Sequence, residues 1–339
     1  MASAGGGIPG ETTSSPGRPG RGGASGLPIV IGVDVGGTTI AAGAVTPAGE
    51  VLLDERLAMR DAAGGPGGTP AAIESLVRRL GAAVAGRGLR LEGIGVGVPG
   101  PVDAERGQVG DPAPHAPDLV GVPLAARLTA GFGVPAFVDN DVNALVLAEW
   151  AWGAGRGARS LVMLALGTGV GGGIVLDGRL QRGAAGSAGE LGHVPIAFDG
   201  PPCICGGRGC LKAFVSGTDI ARRAEERLGR PVGAAEVFQL AAAGEAKAAA
   251  IVDEVCRALG AGLAVIVNGL NPERLLLAGS VAKSLRPLEA RIRTSLADYA
   301  FAAAIAATRL EILSLDKDAT VRGGGALVRY ETDRRRTRT

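Results

Sequence analysis

The sequence has almost no surplus charge: 35 Lys and Arg stand against 33 Asp and Glu, a balance of +2. A protein that grips nucleic acid through its phosphates needs a basic face, and this composition does not supply one. No apolar h-region follows Met1, so no secretory signal is legible. The most apolar helical stretch, 258–267, is interrupted by Gly260 and Gly262 and is too short to span a bilayer. These absences predict a cytoplasmic chain with neither a membrane nor a nucleic acid as partner. Two nucleotide motifs are missing as well. There is no G-x-x-x-x-G-K-[ST], which excludes a P-loop. A G-x-G-x-x-G run begins at Gly167, but it leads into a strand and hairpin, whereas a Rossmann fingerprint must open a helix. Histidine is scarce, with only 2 in the chain, and so is cysteine, with 4.

What is present suits two domains: 339 residues, of which 46% are hydrophobic. Residues 1–27 are nearly all Gly, Ala, Ser, Thr and Pro and bury too little apolar surface to offset their ordering entropy, so they read as a disordered tail. At the other end, Arg334, Arg335, Arg336 and Arg338 read as a solvated basic tail over 333–339. Between the tails, 28–34, 40–45 and 51–59 are strands joined by tight turns, an antiparallel meander. A helix over 70–85 has Ile73, Leu76, Val77 and Leu80 on one face, with Thr69 as N-cap and Pro70 at its first position. A strand at 91–98 follows. The second half repeats the opening: a strand at 160–166, a glycine turn, and a hairpin signal at Asp177-Gly178. A long helix over 251–267 and a buried strand over 275–278 come later. The strand, glycine turn, strand unit thus occurs twice, at 29–45 and 160–176, which predicts two similar α/β halves with a cleft between them. The expected division is 28–139 plus 318–332 for the smaller half and 140–317 for the larger.

The two glycine turns carry the first chemical suggestion. In Asp34-Val35-Gly36-Gly37-Thr38-Thr39, successive backbone N–H groups form an anion-sized nest, two threonines add hydroxyls, and Asp34 stands where a carboxylate orients Mg²⁺ and its waters. An ordinary hairpin turn is the other reading. The second turn, Gly167-Thr168-Gly169 and its following glycines, is a similar nest. One nest per half suggests a nucleotide clamped between them. In Asp139-Asn140-Asp141-Val142-Asn143, polar groups bunch where a strand runs into a helix. This is either a cleft lining or simple capping by Asp141 or Asn143. His193, Cys203, Cys205 and Cys210 give H-x9-C-x-C-x4-C, four N/S ligands of the kind that close a tetrahedral structural zinc site. Cys256, on an apolar helical face, reads as core. His115 sits between prolines, and no role is expected for it.

Taken in order, these segments resemble the ROK sugar kinases. The resemblance runs from residue 29 to about 330. Its motifs are the Asp34–Thr38 turn, Gly97-Val98-Pro99-Gly100-Pro101-Val102-Asp103, Asn140-Asp141-Val142-Asn143-Ala144, the Gly167–Gly173 loop, Gly189-Glu190-Leu191-Gly192-His193, and the Cys203–Cys210 loop. It implies an actin/hexokinase-like (ribonuclease H-like) fold of two α/β domains, ATP with Mg²⁺, and a homodimer or dimer of dimers. Asp141 is then the general base for the acceptor hydroxyl, usually the 6-hydroxyl of glucose or a related hexose. Asn140 and Gly100 would line the sugar pocket, with Glu190 and His193 accepting or contacting ring hydroxyls. Asp34, Gly36, Gly37, Thr38, Thr39, Gly167, Thr168, Gly169 and Gly279 would surround the nucleotide, and zinc would order the loop behind the sugar.

The sequence departs from that pattern in three places. Cys210-Leu211 is followed by Lys212, where the family usually carries a sugar-contacting Glu. This exchange turns an acceptor into a donor and points towards other hexoses or carbocyclic sugar analogues. Lys212 either meets the acceptor or swings out to solvent. Ala278 precedes Gly279 where two glycines are usual, and Thr39 replaces a common Lys. Relatives of another class are transcription repressors with an N-terminal helix-turn-helix, which residues 1–27 cannot form. A non-catalytic sugar sensor is therefore the competing expectation.

Overall fold

The computed structural model describes residues 26–113 and 115–337. Nearly all of the expected N-terminal tail lies outside them. The first half opens with β1 (Pro28–Val35), β2 (Thr39–Val45) and β3 (Val51–Ala58), then α1 (Met59–Gly64), α2 (Gly68–Gly86) and β4 (Arg90–Val98). A two-stranded ribbon, β5 (Val102–Asp103) and β6 (Gln108–Val109), precedes α3 (Leu124–Phe132) and β7 (Ala136–Asn140). Helix α4 (Asp141–Trp152) leads to β8 (Leu161–Leu166), β9 (Val170–Leu176) and β10 (Arg179–Leu180). Then come α5 (Lys212–Val215), α6 (Gly217–Leu228), α7 (Ala234–Ala242), α8 (Ala246–Leu270) and β11 (Arg274–Ala278). The chain closes with α9 (Ser280–Leu285), α10 (Glu289–Ala297), α11 (Ala302–Ala307), β12 (Arg309–Ile312) and α12 (Ala319–Arg336).

Two five-stranded sheets result, in the orders β3-β2-β1-β4-β7 and β10-β9-β8-β11-β12. β1 is antiparallel to β2 and parallel to β4, and β8 is antiparallel to β9 and parallel to β11. The duplication expected from the two glycine turns is therefore a duplication of topology, and the fold is the α/β, actin/hexokinase-like one. No helix among the described residues is long and apolar enough to cross a membrane.

Local sequence accounts for most of the packing. In α2, Ile73, Leu76, Val77 and Leu80 are buried on one face, as their spacing requires. Its start differs from expectation. The helix begins at Gly68, after Gly67 with φ 80°, and Thr69 is not the cap. The Thr69 N–H is instead taken by Asp118 Oδ2 at 2.7 Å, and its hydroxyl is buried against Met59 Sδ. A carboxylate distant in sequence thus satisfies the free end of the helix. Cys256 is core, 2% exposed. Gly260 and Gly262, which interrupt the apolar run of α8, are places of close approach: a Cβ would lie 2.4 Å from Ser295 Cβ and 2.6 Å from Leu211 Cδ2.

Arg334 and Arg335 are not part of a free tail, and Arg338 lies outside the described residues. α12 continues through Arg336. Arg334 bonds Glu331 and Glu105, each at 2.9 Å, and the Arg335 guanidinium lies 4.7 Å from the Phe137 ring centre. Partners on the protein surface hold the run in helical form, where charge count alone suggested solvation. Upstream in the same helix, Gly323, Gly324 and Gly325 sit against Ala144 of α4, the Gly95 carbonyl of β4 and Val45 of β2. Glycine costs a helix interior about 1 kcal/mol against Ala. Here it permits backbone-to-backbone packing that any side chain would block.

Candidate active site

The site is assembled at the C-terminal ends of strands β1, β4 and β7 and at the two glycine turns. β7 hands over to α4 at Asn140, which is the N-cap: its Oδ1 accepts from Val142 N at 2.9 Å and Asn143 N at 3.2 Å. Neither Asp141 nor Asn143 caps the helix. That releases Asp141, the first residue of α4, whose Oδ1 accepts from Val142 N at 2.9 Å. Asn140 Nδ2 donates to the Gly100 carbonyl at 3.2 Å, joining two of the expected sugar-pocket residues. Gly100 has φ 95°, and a Cβ there would stand 2.5 Å from the Pro112 carbonyl oxygen, so the position requires glycine.

Asp141 is electrostatically unusual. Burial, the Asp34 carboxylate and, last, Glu190 push its pKa up to about 7, against the Val142 N–H, which lowers it. Asp34 is itself raised by burial, partly offset by a hydrogen bond from Thr320 and by Arg56. Asp34, Asp141 and Glu190 thus share one electrostatic neighbourhood. A carboxylate poised near neutrality can both take and hold a proton at working pH.

The two turns flank this acid group. At the first, Gly36 N donates to Thr39 O at 3.0 Å, Thr38 O accepts from Met59 N, and Gly37 and Thr38 face solvent. His115 stands over it, since a Cβ on Gly37 would lie 3.2 Å from its ring. The sequence offered no signal for this neighbour, because only the fold brings the two segments together. At the second turn, Gly167 N donates to Gly169 O. Its outer side is tied to the start of α6: Gly217 N donates to Gly167 O at 2.8 Å, and Thr218 Oγ1 donates to Thr168 O at 3.0 Å. A cavity of about 320 Å³ opens there, lined by Gly167, Thr168, Gly217, Thr218 and Ser280 among others. Gly279, next to the lining residue Ser280, has φ 102°; a Cβ would lie 2.4 Å from the Leu166 carbonyl oxygen.

The loop 190–210 carries the remaining residues. His193 N donates to Glu190 O at 3.0 Å, which places Glu190 and His193 in one turn. His193 Nδ1 lies 3.4 Å from Cys203 Sγ, Cys205 Sγ lies 3.7 Å from Cys210 Sγ, and the four ligand atoms all fall within 4.8 Å of one another. Four ligands on a tetrahedral zinc with Zn–S bonds of about 2.3 Å have sulfurs about 3.8 Å apart, so the donor set and its spacing fit the ion. With Nδ1 turned to the sulfurs, Nε2 is the His193 nitrogen left over. Lys212 neither points into open space nor swings out to solvent. Its ammonium bonds Asp219 Oδ2 at 2.8 Å, and Ser216 Oγ donates to the same oxygen at 2.6 Å. These contacts hold the Asp219 carboxyl below its usual range despite its burial.

Comparison with known proteins agrees with this architecture. The ROK family model matches residues 30–331, and the chain belongs to the ROK family. It is 35% identical to the glucokinase of Halalkalibacterium halodurans over 318 residues, 89% of this chain and 95% of that one. The ROK hexokinase structure from Thermus thermophilus superposes with a TM-score of 0.77 at 34% identity, covering 90% of this chain and 99% of that chain. A ROK family glucokinase from Streptomyces griseus, solved in complex with glucose and AMPPNP, has a TM-score of 0.69 at 29% identity, with 90% and 99% covered. The family also contains regulators: the Escherichia coli transcriptional repressor Mlc is 31% identical over 71% of this chain, and the match spans 61% of Mlc.

Proposed function

We propose that this chain is an ATP-dependent sugar kinase that moves the terminal phosphoryl group of ATP onto a hydroxyl of its acceptor, with Asp141 as general base. The observation that carries the reading is Asp141 itself, freed from capping by Asn140 and lifted to about 7 between two anion-sized turns. Phosphoryl transfer asks the protein chiefly to position reactants and offset charge. Asp141 takes the proton of the attacking hydroxyl, the 6-hydroxyl of glucose or its equivalent on a related hexose or carbocyclic analogue. Asn140, Gly100, Glu190 and the Nε2 face of His193 bind the other hydroxyls. The N–H groups of Gly37, Thr38 and Thr39 receive the phosphates on one side, in a turn closed by the Gly36 N–H bond to Thr39 O. Gly167 and Thr168 line the cavity that takes the rest of the nucleotide, with Gly169 and Gly279 next to lining residues in the chain. Asp34 would order the hydration shell of Mg²⁺. His193, Cys203, Cys205 and Cys210 would hold a structural zinc, which offers no open position for chemistry and fixes the His193 ring.

Lys212 shapes the acceptor choice. Its charge is already answered by Asp219, so it adds a neutralised pair where a free carboxylate is usual in the family. This favours acceptors other than unmodified glucose. The competing reading, a non-catalytic sugar sensor, draws on the same exchange but leaves the raised Asp141 unused. ADP release measured over a panel of hexoses, N-acetylhexosamines and cyclitols separates the two. Turnover above plain ATP hydrolysis is expected with at least one acceptor, and Asp141→Asn should lower kcat about 10²–10⁴-fold while leaving sugar binding in place. Sugar binding without any acceptor-dependent ADP release would favour the sensor and sink the kinase.

A further inference from the structure

A second cavity, of about 980 Å³, opens on the far side of α4, between the C-terminal halves of α4 and α12 and the β9–β10 hairpin. It is larger than the nucleotide-side cavity and shares none of its walls. Two of its walls are aromatic. Trp150 and Tyr330 meet edge to face with ring centres 6.4 Å apart, each fixed by its polar end: Trp150 Nε1 donates to Ala158 O, and Tyr330 Oη accepts from Leu180 N.

Five arginines line this space: Arg156, Arg179, Arg182, Arg329 and Arg334. Two are already answered. Arg182 is held by Asp139 and Glu331, both at 2.6 Å, and Arg334 by Glu331 and Glu105. Among the described residues no carboxylate pairs with Arg156, Arg179 or Arg329. Two carboxylates share the walls. Asp177 is taken by Arg159 at 2.8 Å, which leaves Asp333. Three open guanidiniums against one carboxylate leave the cavity cationic, with planar forks suited to phosphate oxygens. Its volume lies at the upper end of the range of small-molecule sites, well beyond what a bare phosphate fills.

From this we infer that the cavity between α4, α12 and the β9–β10 hairpin is a second binding site, built for a phosphorylated organic metabolite. The phosphate groups meet Arg156, Arg179 and Arg329, and the carbon skeleton lies against Trp150 and Tyr330. The site is joined to the acceptor side of the molecule by contacts already described. Arg182, on its wall, grips Asp139 Oδ2, while Asp139 Oδ1 accepts from Asn140 N at 2.8 Å and Asn143 Nδ2 at 2.9 Å. An occupant that draws on Arg182 therefore acts one hydrogen bond away from the strand-to-helix junction that aims Asp141.

The chain has 2 tryptophans, and one of them lines the cavity, so intrinsic emission reports on it. Full-length protein is titrated with fructose 1,6-bisphosphate and, separately, with inorganic phosphate, at ionic strength held constant with chloride. A saturable change with the bisphosphate is expected, and a much weaker response to phosphate. Arg156→Gln/Arg179→Gln/Arg329→Gln should weaken the bisphosphate by at least about tenfold. All three residues are exposed, so the melting temperature should be unchanged. Arg329→Gln alone should shift affinity in the same direction. No saturable response in the parent protein, or equal affinity in the triple variant, overturns the site. Equal affinity for inorganic phosphate overturns the organic class.

Discussion

At the end of β1 the first glycine turn is preceded by Asp34, whereas at the matching register of β8 the second is preceded by Ala165: Asp34 faces Ala41 on β2, and Ala165 faces Gly171 on β9. The two turns share one backbone device, a hairpin turn closed by a glycine N–H, Gly36 to Thr39 O in the first and Gly167 to Gly169 O in the second. They differ in charge and enclosure. The first is open, with Gly37 and Thr38 exposed, and brings a carboxylate into the neighbourhood of Asp141. The second is uncharged and walled by the starts of α6 and α9 around its own cavity. A duplicated fold thus separates two tasks that conflict. In the proposed reaction, a carboxylate suited to tuning Asp141 and ordering a cation would repel phosphates if it stood bare in the enclosed turn.

Removing the charge from the first turn is the most damaging way to break this contrast. Asp34→Asn should lower kcat by about 10²–10³-fold, as loss of a group that manages transition-state charge does. It should also move the acidic limb of kcat/KM. With Asp34 present, Asp141 titrates near 7. A neighbouring anion makes ionisation harder, so its loss lowers the pKa and carries the limb to lower pH. A limb that stays in place would deny the coupling between the first turn and the base. Gly279→Ala attacks the second turn alone. Its Cβ would meet the Leu166 carbonyl oxygen at 2.4 Å in a backbone conformation that disfavours side chains. KM for ATP should rise about tenfold with kcat little changed, the pattern of lost uniform binding. An equal fall in kcat would mean that the two turns do not divide the work. The smallest effect should come from outside both turns. Chelation of the proposed zinc at His193 and the three cysteines should raise KM for the sugar and leave KM for ATP alone. The melting temperature should fall by about 2–4 °C for each kcal/mol of stability lost.

Much of this was legible in the residues. The repeated strand, glycine turn, strand unit anticipated both sheets, because hairpin turns are written locally. The convergence of His193, Cys203, Cys205 and Cys210 was legible from spacing, since they sit on one short loop. Asp141 was ambiguous alone, and the capping that obscured it turned out to belong to Asn140. What escaped sequence reasoning depended on contacts between distant segments. Asp118 at the start of α2 and His115 over Gly37 each require a partner that no local pattern names. The C-terminal arginines misled for the same reason, since Glu105 and Phe137 lie far away in the chain.

The glycine run of α12 has a mechanical consequence. Gly323, Gly324 and Gly325 face Ala144, Gly95, Gly32 and Val45, so this helix meets α4 and the first sheet largely backbone against backbone. Most helix seams interlock through ridges of side chains set into grooves, and sliding them means lifting one over another. Along the glycine stretch the approach is too close for a Cβ, and beyond it Leu145 and Leu147 of α4 share a buried cluster with Ala326 and Leu327 of α12. A side chain added at Gly323 would press on the backbone of Ala144, three residues along α4 from Asp141, so this close seam ties the setting of Asp141 to the helix packed behind it.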